Sequence, residues 1–315
     1  MKKTIRTGVV GVGSLGQHHA RKYALIPDAE LTGVFDVNRE QAESLANELG
    51  CTAFDDLTAF AEAVDAASVA VPTDLHRKIA GELLEAGIHL LVEKPIASTT
   101  AEAEELVELA QSANLILQVG HIERFNPVLS ALDNLESAPK FIEATRLAPY
   151  PPPRDGALPR GTEVSVVLDL MIHDIEIILH LVKSPIKEIR AVGVPVLSPS
   201  EDISNVRLSF ENGCVANITA SRISADRLRK IRLFFDHAYV SLDYQEQTGE
   251  IHRVGPTGIL REEIGIIPGD ALERELASFV DCVKHHNEPL VTGERASEAL
   301  RLATQITRIM REGGC

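Results

Sequence analysis

Thr4-Ile5-Arg6-Thr7-Gly8-Val9-Val10-Gly11-Val12-Gly13-Ser14-Leu15-Gly16 reads as a short buried strand running into a Gly-x-Gly-x-x-Gly turn that opens a helix. Each glycine of the turn has a steric reason. Gly11 permits the tight bend, Gly13 leaves the backbone open to a pyrophosphate, and Gly16 lets the helix pack close to the strand. The helix start, with Val12, Ser14 and Leu15 between the glycines, offers N–H groups and the positive end of a dipole to phosphates. A lone glycine pattern is a weak signal, but its surroundings strengthen it. A helix from Leu15 to Ile26 follows, and a second strand, Leu31 to Phe35, ends at Asp36. Asp36 lies about 20 residues beyond Gly16, where an acidic residue holds ribose hydroxyls. A carboxylate there repels a 2′-phosphate, so NAD is expected over NADP. Arg39 is the contrary sign, because an arginine accommodates that phosphate.

Outward from this turn, residues 1–120 alternate strand and helix. A helix from Arg39 to Leu49 stops at Gly50, and a short strand spans Cys51 to Phe54. The apolar run Ala66 to Val71 ends at Pro72-Thr73, and a helix covers Asp74 to Ala86. The strand Ile88 to Val92 ends in Glu93-Lys94-Pro95. Ser98-Thr99-Thr100 opens a helix to about Ala113, and Leu115 to Val119 ends at Gly120-His121. Buried strands alternating with amphipathic helices mean a parallel, doubly wound α/β sheet. Ligands of such sheets bind beyond the carboxyl ends of the strands. Gly11 to Gly16, Asp36, Pro72-Thr73, Glu93-Lys94 and His121 all stand at those ends.

Residues 121–315 follow another pattern. A helix is expected over Arg124 to Leu135, then a strand over Lys140 to Leu147. A loop rich in Pro and Arg follows, with Arg154 and Arg160. The helix Glu163 to Val182 is strongly apolar. Strands are expected in series from Ile186 to Leu197, Ser204 to Phe210, Cys214 to Ser221, Lys230 to Phe235, Ala238 to Tyr244 and Gly249 to Val254. Glu211-Asn212-Gly213 is a hairpin turn. Helices over Asp270 to His286 and Glu294 to Arg311 close the chain and are candidates to pack back on the first domain. This half reads as an α+β domain with a large, mainly antiparallel open sheet.

Bulk properties narrow the function. The 315 residues are 44% hydrophobic and 24% charged, an ordinary globular composition. A net charge of −15 argues against nucleic acid or an anionic membrane as partner. Aromatics are 4% and tryptophan is absent, so base-stacking platforms are not expected. Cys51, Cys214, Cys282 and Cys315 are scattered, which suits free thiols in a reducing cytosol and suggests no metal site. No apolar run reaches the roughly 18 residues a membrane helix needs, and no signal-peptide core precedes the first strand, so the expectation is a cytoplasmic protein.

Three clusters carry candidate chemistry. Lys94 stands at a strand end, and beside a cationic nicotinamide its charged form would be disfavoured, bringing it toward proton transfer. The bland alternative is a solvated Glu–Lys pair. Asp169 and His173 lie four positions apart on one face of an apolar helix, with His180 on roughly the same stripe. They are either a satisfied core pair or a general base with its orienting carboxylate. A metal set with Glu176 lacks a recognised spacing. The third cluster is Gly120-His121-Ile122-Glu123-Arg124-Phe125-Asn126-Pro127, where Asn126 and Pro127 make sound helix-start chemistry. His121 and Arg124 are candidate substrate contacts, and Arg146, Arg154 and Arg160 either grip a phosphorylated substrate or are ordinary surface charges.

In order and spacing, the Gly11–Gly16 turn, Val71-Pro72-Thr73 with His76, Glu93-Lys94-Pro95, and Asp169 followed by His173 resemble the Gfo/Idh/MocA family of nicotinamide-dependent sugar and cyclitol oxidoreductases. The resemblance implies an N-terminal Rossmann domain and catalysis in a cleft beside a C-terminal open-sheet domain. It implies a catalytic group of Lys94, Asp169 and His173, with Val71, Pro72, Thr73, His76 and Glu93 on the cofactor side. His121, Arg124, Asn126, Arg146 and Arg160 fall to the substrate. Stretches 119–127 and 167–174 look like the branch that oxidises C3 of UDP-N-acetylglucosamine on the way to lipid A with an amide-linked chain. The family also implies a homodimer or homotetramer paired through the second-domain sheet, for which the apolar strands from Ile203 to Leu242 are candidates. The alternatives are a dehydrogenase or reductase of another sugar or inositol, or an NAD-sensing regulator without turnover.

Overall fold

A computed structural model describes residues 4–132, 138–153, 158–255 and 258–313. The chain forms two units, Met1–Phe125 with Asp270–Glu298, and Asn126–Gly269 with Ala299–Cys315. The division therefore is not a single boundary after residue 120. The segment from Asp270 returns to the first unit because Leu276, Phe279, Val280 and Val283 join its buried core with Val9, Tyr23 and Leu91. Each such fully buried side chain contributes about 1.5–3 kcal/mol.

The first unit carries β1 (Ile5–Val10), β2 (Ala29–Phe35), β3 (Thr52–Ala53), β4 (Ala66–Val69), β5 (His89–Glu93) and β6 (Leu117–Gly120), in the order β3-β2-β1-β4-β5-β6. Every pairing is parallel. β4 and β6 are buried at every residue, as strands covered on both faces must be. The helices are α1 (Gly16–Tyr23), α2 (Arg39–Leu49), α3 (Leu57–Ala63), α4 (His76–Glu85), α5 (Thr100–Ser112) and α7 (Ala271–His285). Local chemistry sets their ends. Asn38 accepts the Gln41 N–H at the start of α2, Gly50 ends it at φ 68°, and Thr99 with Glu102 forms a capping box on α5. Strand order reverses between β1 and β4, the switch point where doubly wound sheets bind ligands.

The second unit holds an eight-stranded sheet in the order β14-β13-β12-β11-β7-β10-β9-β8. Its strands are β7 (Phe141–Leu147), β8 (Ile186–Val194), β9 (Ile203–Phe210), β10 (Val215–Ser221), β11 (Leu228–Phe234), β12 (Ala238–Asp243), β13 (Thr248–Gly255) and β14 (Gly258–Glu263). Only the β7–β10 pairing is parallel. Burial alternates along β7, β9 and β10, so one face meets the core. α6 (Ile172–Val182) belongs to that core through Ile172, Ile175 and Ile178. In α8 (Gly293–Glu312) the unit boundary falls inside the helix, and Leu302, Ala303 and Ile306 join the second core.

Several details differ from expectation. The helix read over 124–135 is two 3₁₀ turns, Ile122–Phe125 and Pro127–Leu132, and residues 133–135 lie outside the described set. Its break falls at Asn126, whose Oδ1 accepts the Val128 N–H while Pro127 has no N–H to give. β8 stops at Val194, because the next N–H groups, of Val196, Leu197 and Ser198, turn to the Asp202 carboxylate. The apolar residues between Ile203 and Leu242 mostly face inward, among them Val206, Leu208, Ile218 and Ile231. The other face carries polar pairs, Asn205 with Thr219 and Arg207 with Asn217. Cys51, Cys214 and Cys282 are free thiols, and Cys315 lies outside the described residues. Among the described residues no helix is long and apolar enough to cross a membrane.

Candidate active site

In the first unit the glycine turn joins β1 to α1. Gly11 has φ +83°, and a Cβ on Gly16 would lie 1.8 Å from the Gly11 carbonyl oxygen. Neither position tolerates a side chain. A Cβ on Gly13 would meet no protein atom within 4 Å, so the space a pyrophosphate needs is open. Asp36, just beyond β2, is drawn to the turn. Its carboxylate accepts the Val12 N–H at 2.7 Å and the Asn38 N–H at 2.8 Å. Gln41 donates to the Val12 carbonyl at 2.8 Å. Beside them is a groove of about 400 Å³ lined by Val12, Gln17, Arg21, Asn38, Gln41 and Leu45. Ser14 is exposed and Leu15 half-buried at the start of α1. These residues fit a dinucleotide: open backbone for its phosphates and a carboxylate for its ribose. Arg39 is held by Glu43 at 2.7 Å and also pairs with Asp55.

Val71-Pro72-Thr73 follows β4 and enters a 3₁₀ turn, Thr73–Leu75. His76 is not displayed to a ligand as expected. It is buried, with its ring nitrogens 2.9 Å from the carbonyl oxygens of Val71 and Pro95. It therefore packs between the segment after β4 and the segment after β5, and in its neutral form donates to one of the two carbonyls. Burial, against those carbonyl contacts, holds its pKa below the ordinary histidine value.

Glu93 closes β5, and half-buried Lys94 follows it; the Lys94–Pro95 peptide is cis. Glu93 Oε2 accepts the Lys94 N–H at 3.2 Å, and Oε1 lies 3.0 Å from His19 Nε2. Burial pushes the Glu93 carboxyl up, but the His19 hydrogen bond and the charge of Lys94 outweigh it, and the group lies below the ordinary carboxylate value. His121, just past β6, is buried. Burial, then the charge of Lys94, pushes its pKa down to about 3, so the ring is neutral at pH 7. Arg124 is buried in the next 3₁₀ turn. His19 was not anticipated. Its one sequence sign is a histidine on the packed face of α1, three residues after Gly16.

In the second unit Asp169 lies in a π-helical turn, Val167–Met171, that leads directly into α6. Such turns re-aim side chains and are common at functional sites. His173 is buried in the first turn of α6. Arg146 corrects an expectation. It lies on β7, buried, with its guanidinium on Asp174 at 2.7 and 3.2 Å. That commitment makes it a core ion pair rather than an arm for phosphate. Asn126 donates to the Tyr244 carbonyl at 3.0 Å. Arg160 is exposed, and Arg154 lies outside the described residues. Among the described residues no three His, Cys, Asp or Glu side chains form a metal-holding group.

Gly161, beside Arg160, positions the Asp169 carboxylate. It has φ +82°, and a Cβ there would stand 2.4 Å from Asp169 Oδ2. Gly161→Ala therefore strains the backbone by about 1–2 kcal/mol and forces the carboxylate away. If Asp169 belongs to the catalytic group, as the resemblance implies, a displacement of about 1 Å there should lower kcat by about 10²-fold. Steady-state kinetics on Gly161→Ala, with NAD affinity measured alongside, check this; parental kcat would refute the contact's role.

The oxidoreductase-family model for the NAD-binding Rossmann fold matches residues 5–121, and the GFO/IDH/MocA C-terminal domain model matches residues 138–241. The chain is 37% identical over 309 residues to UDP-N-acetylglucosamine 3-dehydrogenase of Acidithiobacillus ferrooxidans, covering 96% of each chain. A solved structure of that enzyme superposes with a TM-score of 0.92 at 36% identity, covering 98% of both. Myo-inositol 2-dehydrogenase of Thermotoga maritima is 27% identical, over 98% of this chain and 97% of the other.

Proposed function

Because the chain belongs to the Gfo/Idh/MocA family of oxidoreductases acting on CH–OH groups, we propose that it uses NAD to oxidise the C3 hydroxyl of UDP-N-acetylglucosamine. The observation that carries this reading is the 37% identity, spread over 96% of both chains, to an enzyme of that activity. The 3-keto product suits transamination toward lipid A with an amide-linked chain.

A nicotinamide cofactor, when bound, would supply the two-electron acceptor for the C3 hydrogen. The protein's own residues position and polarise. The Gly11–Gly16 turn receives the pyrophosphate, Asp36 the adenosine ribose, and Val71, Pro72, Thr73 and Glu93 border the cofactor. His173 takes the hydroxyl proton, oriented by Asp169 one turn earlier. The Lys94 ammonium stabilises negative charge as it develops on the oxygen. Neutral His121 and Arg124 hold the sugar, and exposed Arg160 meets the diphosphate. The protein works in the cytoplasm as a homo-oligomer. The test is a panel of UDP-N-acetylglucosamine, free N-acetylglucosamine, glucose and myo-inositol, followed by NADH absorbance. Turnover confined to the sugar nucleotide supports the reading; preference for inositol or a free sugar replaces it.

Cofactor choice has its own expected result. Asp36→Asn keeps an acceptor for Val12 and removes the charge that repels a 2′-phosphate. One unit charge at about 4 Å is worth about 1–4 kcal/mol between water and a protein surface. The ratio of kcat/KM for NAD over NADP should fall by about tenfold or more, read from paired saturation curves. An unchanged ratio would remove Asp36 as the discriminating group.

A further inference from the structure

A hydrogen-bonded chain ends at Glu93, next to Lys94, and the proposed chemistry gives no role to its other members, Tyr23, Ser68 and His19. Tyr23 OH lies 2.8 Å from Ser68 Oγ, Ser68 Oγ lies 3.0 Å from His19 Nδ1, and His19 Nε2 lies 3.0 Å from Glu93 Oε1. Tyr23, Ser68 and His19 are each at most 1% exposed. Tyr23 and His19 stand four residues apart on the packed face of α1, Ser68 lies within β4, and Glu93 ends β5. Three elements of the unit thus meet at one imidazole.

One self-consistent set of donors runs along the whole chain. Burial raises the Tyr23 phenol, which keeps its proton and donates to Ser68. In that set Ser68 donates to His19 Nδ1. A neutral imidazole with an accepting Nδ1 carries its hydrogen on Nε2, where it donates to the Glu93 carboxylate. The carboxylate's other oxygen accepts the Lys94 backbone N–H. Around Glu93 stand Lys94 on its own strand end, His121 beyond β6, His76 on α4 and Glu275 on α7. Burial, with the charge of Glu93, raises the Glu275 carboxyl well above its ordinary value.

We propose that His19 is a positioning residue of the active site: held in place by Ser68 and Tyr23, it anchors the Glu93 carboxylate through Nε2–H, and Glu93 in turn fixes Lys94. The inference rests on the catalytic role assigned to Lys94. A histidine that merely filled the core would serve folding and cofactor binding alike. A positioning histidine acts on turnover, and acts through Glu93.

The experiment compares His19→Leu, His19→Gln, Glu93→Gln, Ser68→Ala and Lys94→Ala in the full-length protein. The assays are steady-state turnover with UDP-N-acetylglucosamine and NAD affinity by calorimetry. His19→Leu should lower kcat by about tenfold or more, with NAD affinity within about threefold. His19→Gln keeps an N–H for Glu93 and should recover most of the loss. Adding His19→Leu to Glu93→Gln should cost little more, because both break one link. Parental kcat in His19→Leu, no recovery in His19→Gln, or full additivity with Glu93→Gln would each overturn the proposal. If His19→Leu does not fold, Ser68→Ala decides. It should lower kcat by about threefold with His19 present and have no effect in the His19→Gln background, which lacks Nδ1. An unchanged kcat in Ser68→Ala would then overturn the chain. Retained turnover in Lys94→Ala refutes the catalytic assignment itself; turnover lost there but intact in His19→Leu refutes only the positioning chain.

Discussion

Lys94→Ala and His173→Ala should each lower kcat by about 10²–10⁴-fold while the NAD dissociation constant moves by less than about threefold. The split follows from where the two groups sit. Lys94 lies beyond the end of β5 rather than in the glycine turn. Its removal leaves the open backbone at Gly13 and the Asp36 carboxylate untouched. His173 belongs to the second unit and takes no part in the turn. On the proposed chemistry, what each removal costs is stabilisation of charge on the hydroxyl oxygen as its proton and the C3 hydrogen leave. Interactions made only in the transition state appear in kcat and kcat/KM alike. His121 cannot readily stand in for the lost ammonium, since its burial, the larger cause of its depressed pKa, remains when the Lys94 charge is gone. Turnover assays and calorimetric NAD titrations on both variants check this. Near-parental kcat in both would dismiss the assignment, and loss of NAD binding in Lys94→Ala would move that residue to the cofactor.

Residues whose roles are steric and local could be read from sequence. Gly11 and Gly16 allow nothing larger, and Asp36 follows them at a fixed interval on the neighbouring strand. The strand series of the second unit was legible because burial alternates along it. β14 was not anticipated, since every residue from Gly258 to Glu263 is exposed and no alternation marks it. The π turn at Asp169 was hidden because an apolar stripe looks the same whether one turn is wider or not. His19 could not be singled out, as its partners lie 49 and 74 residues away. Arg146 was misread for the same reason. A charged residue on a strand looks like surface until the structure places Asp174 against it, 28 residues on.

Arg222→Met should destabilise the second unit by about 3–5 kcal/mol, the effect of leaving one member of a buried ion pair alone. Arg222 is 2% exposed and Asp202 0%. Arg222 Nε donates to Asp202 at 2.9 Å, and the guanidinium also reaches the carbonyls of Gly161, Val164 and Glu201 and the Ser200 hydroxyl. Truncation therefore removes the counter-charge paired with Asp202, which keeps its Ser198 and backbone N–H donors, and takes a donor from several carbonyls together. Burial works to raise the Asp202 carboxyl, but Ser198, Arg222 and the backbone N–H groups of Leu197 and Ser198 outweigh it and hold it far below the ordinary value. A carboxyl depressed in the fold contributes stability that is complete above its unfolded pKa of about 3.9 and lost as pH falls below that value toward the folded one. That acid-dependent share should shrink in Arg222→Met, which loses one source of the depression. Urea titrations at neutral pH and near pH 3 read both effects, provided the slope of the second-unit transition is unchanged. Arg222→Lys should recover only part of the loss, since an ammonium cannot span the same acceptors. The double variant Arg222→Met with Asp202→Leu separates the causes. If the orphaned carboxylate dominates, the pair is more stable than Arg222→Met alone. If the double variant is weaker still, the loss lies in the freed loop carbonyls, and Gly161 loses its hold beside Asp169. Reduced turnover would then accompany the reduced stability.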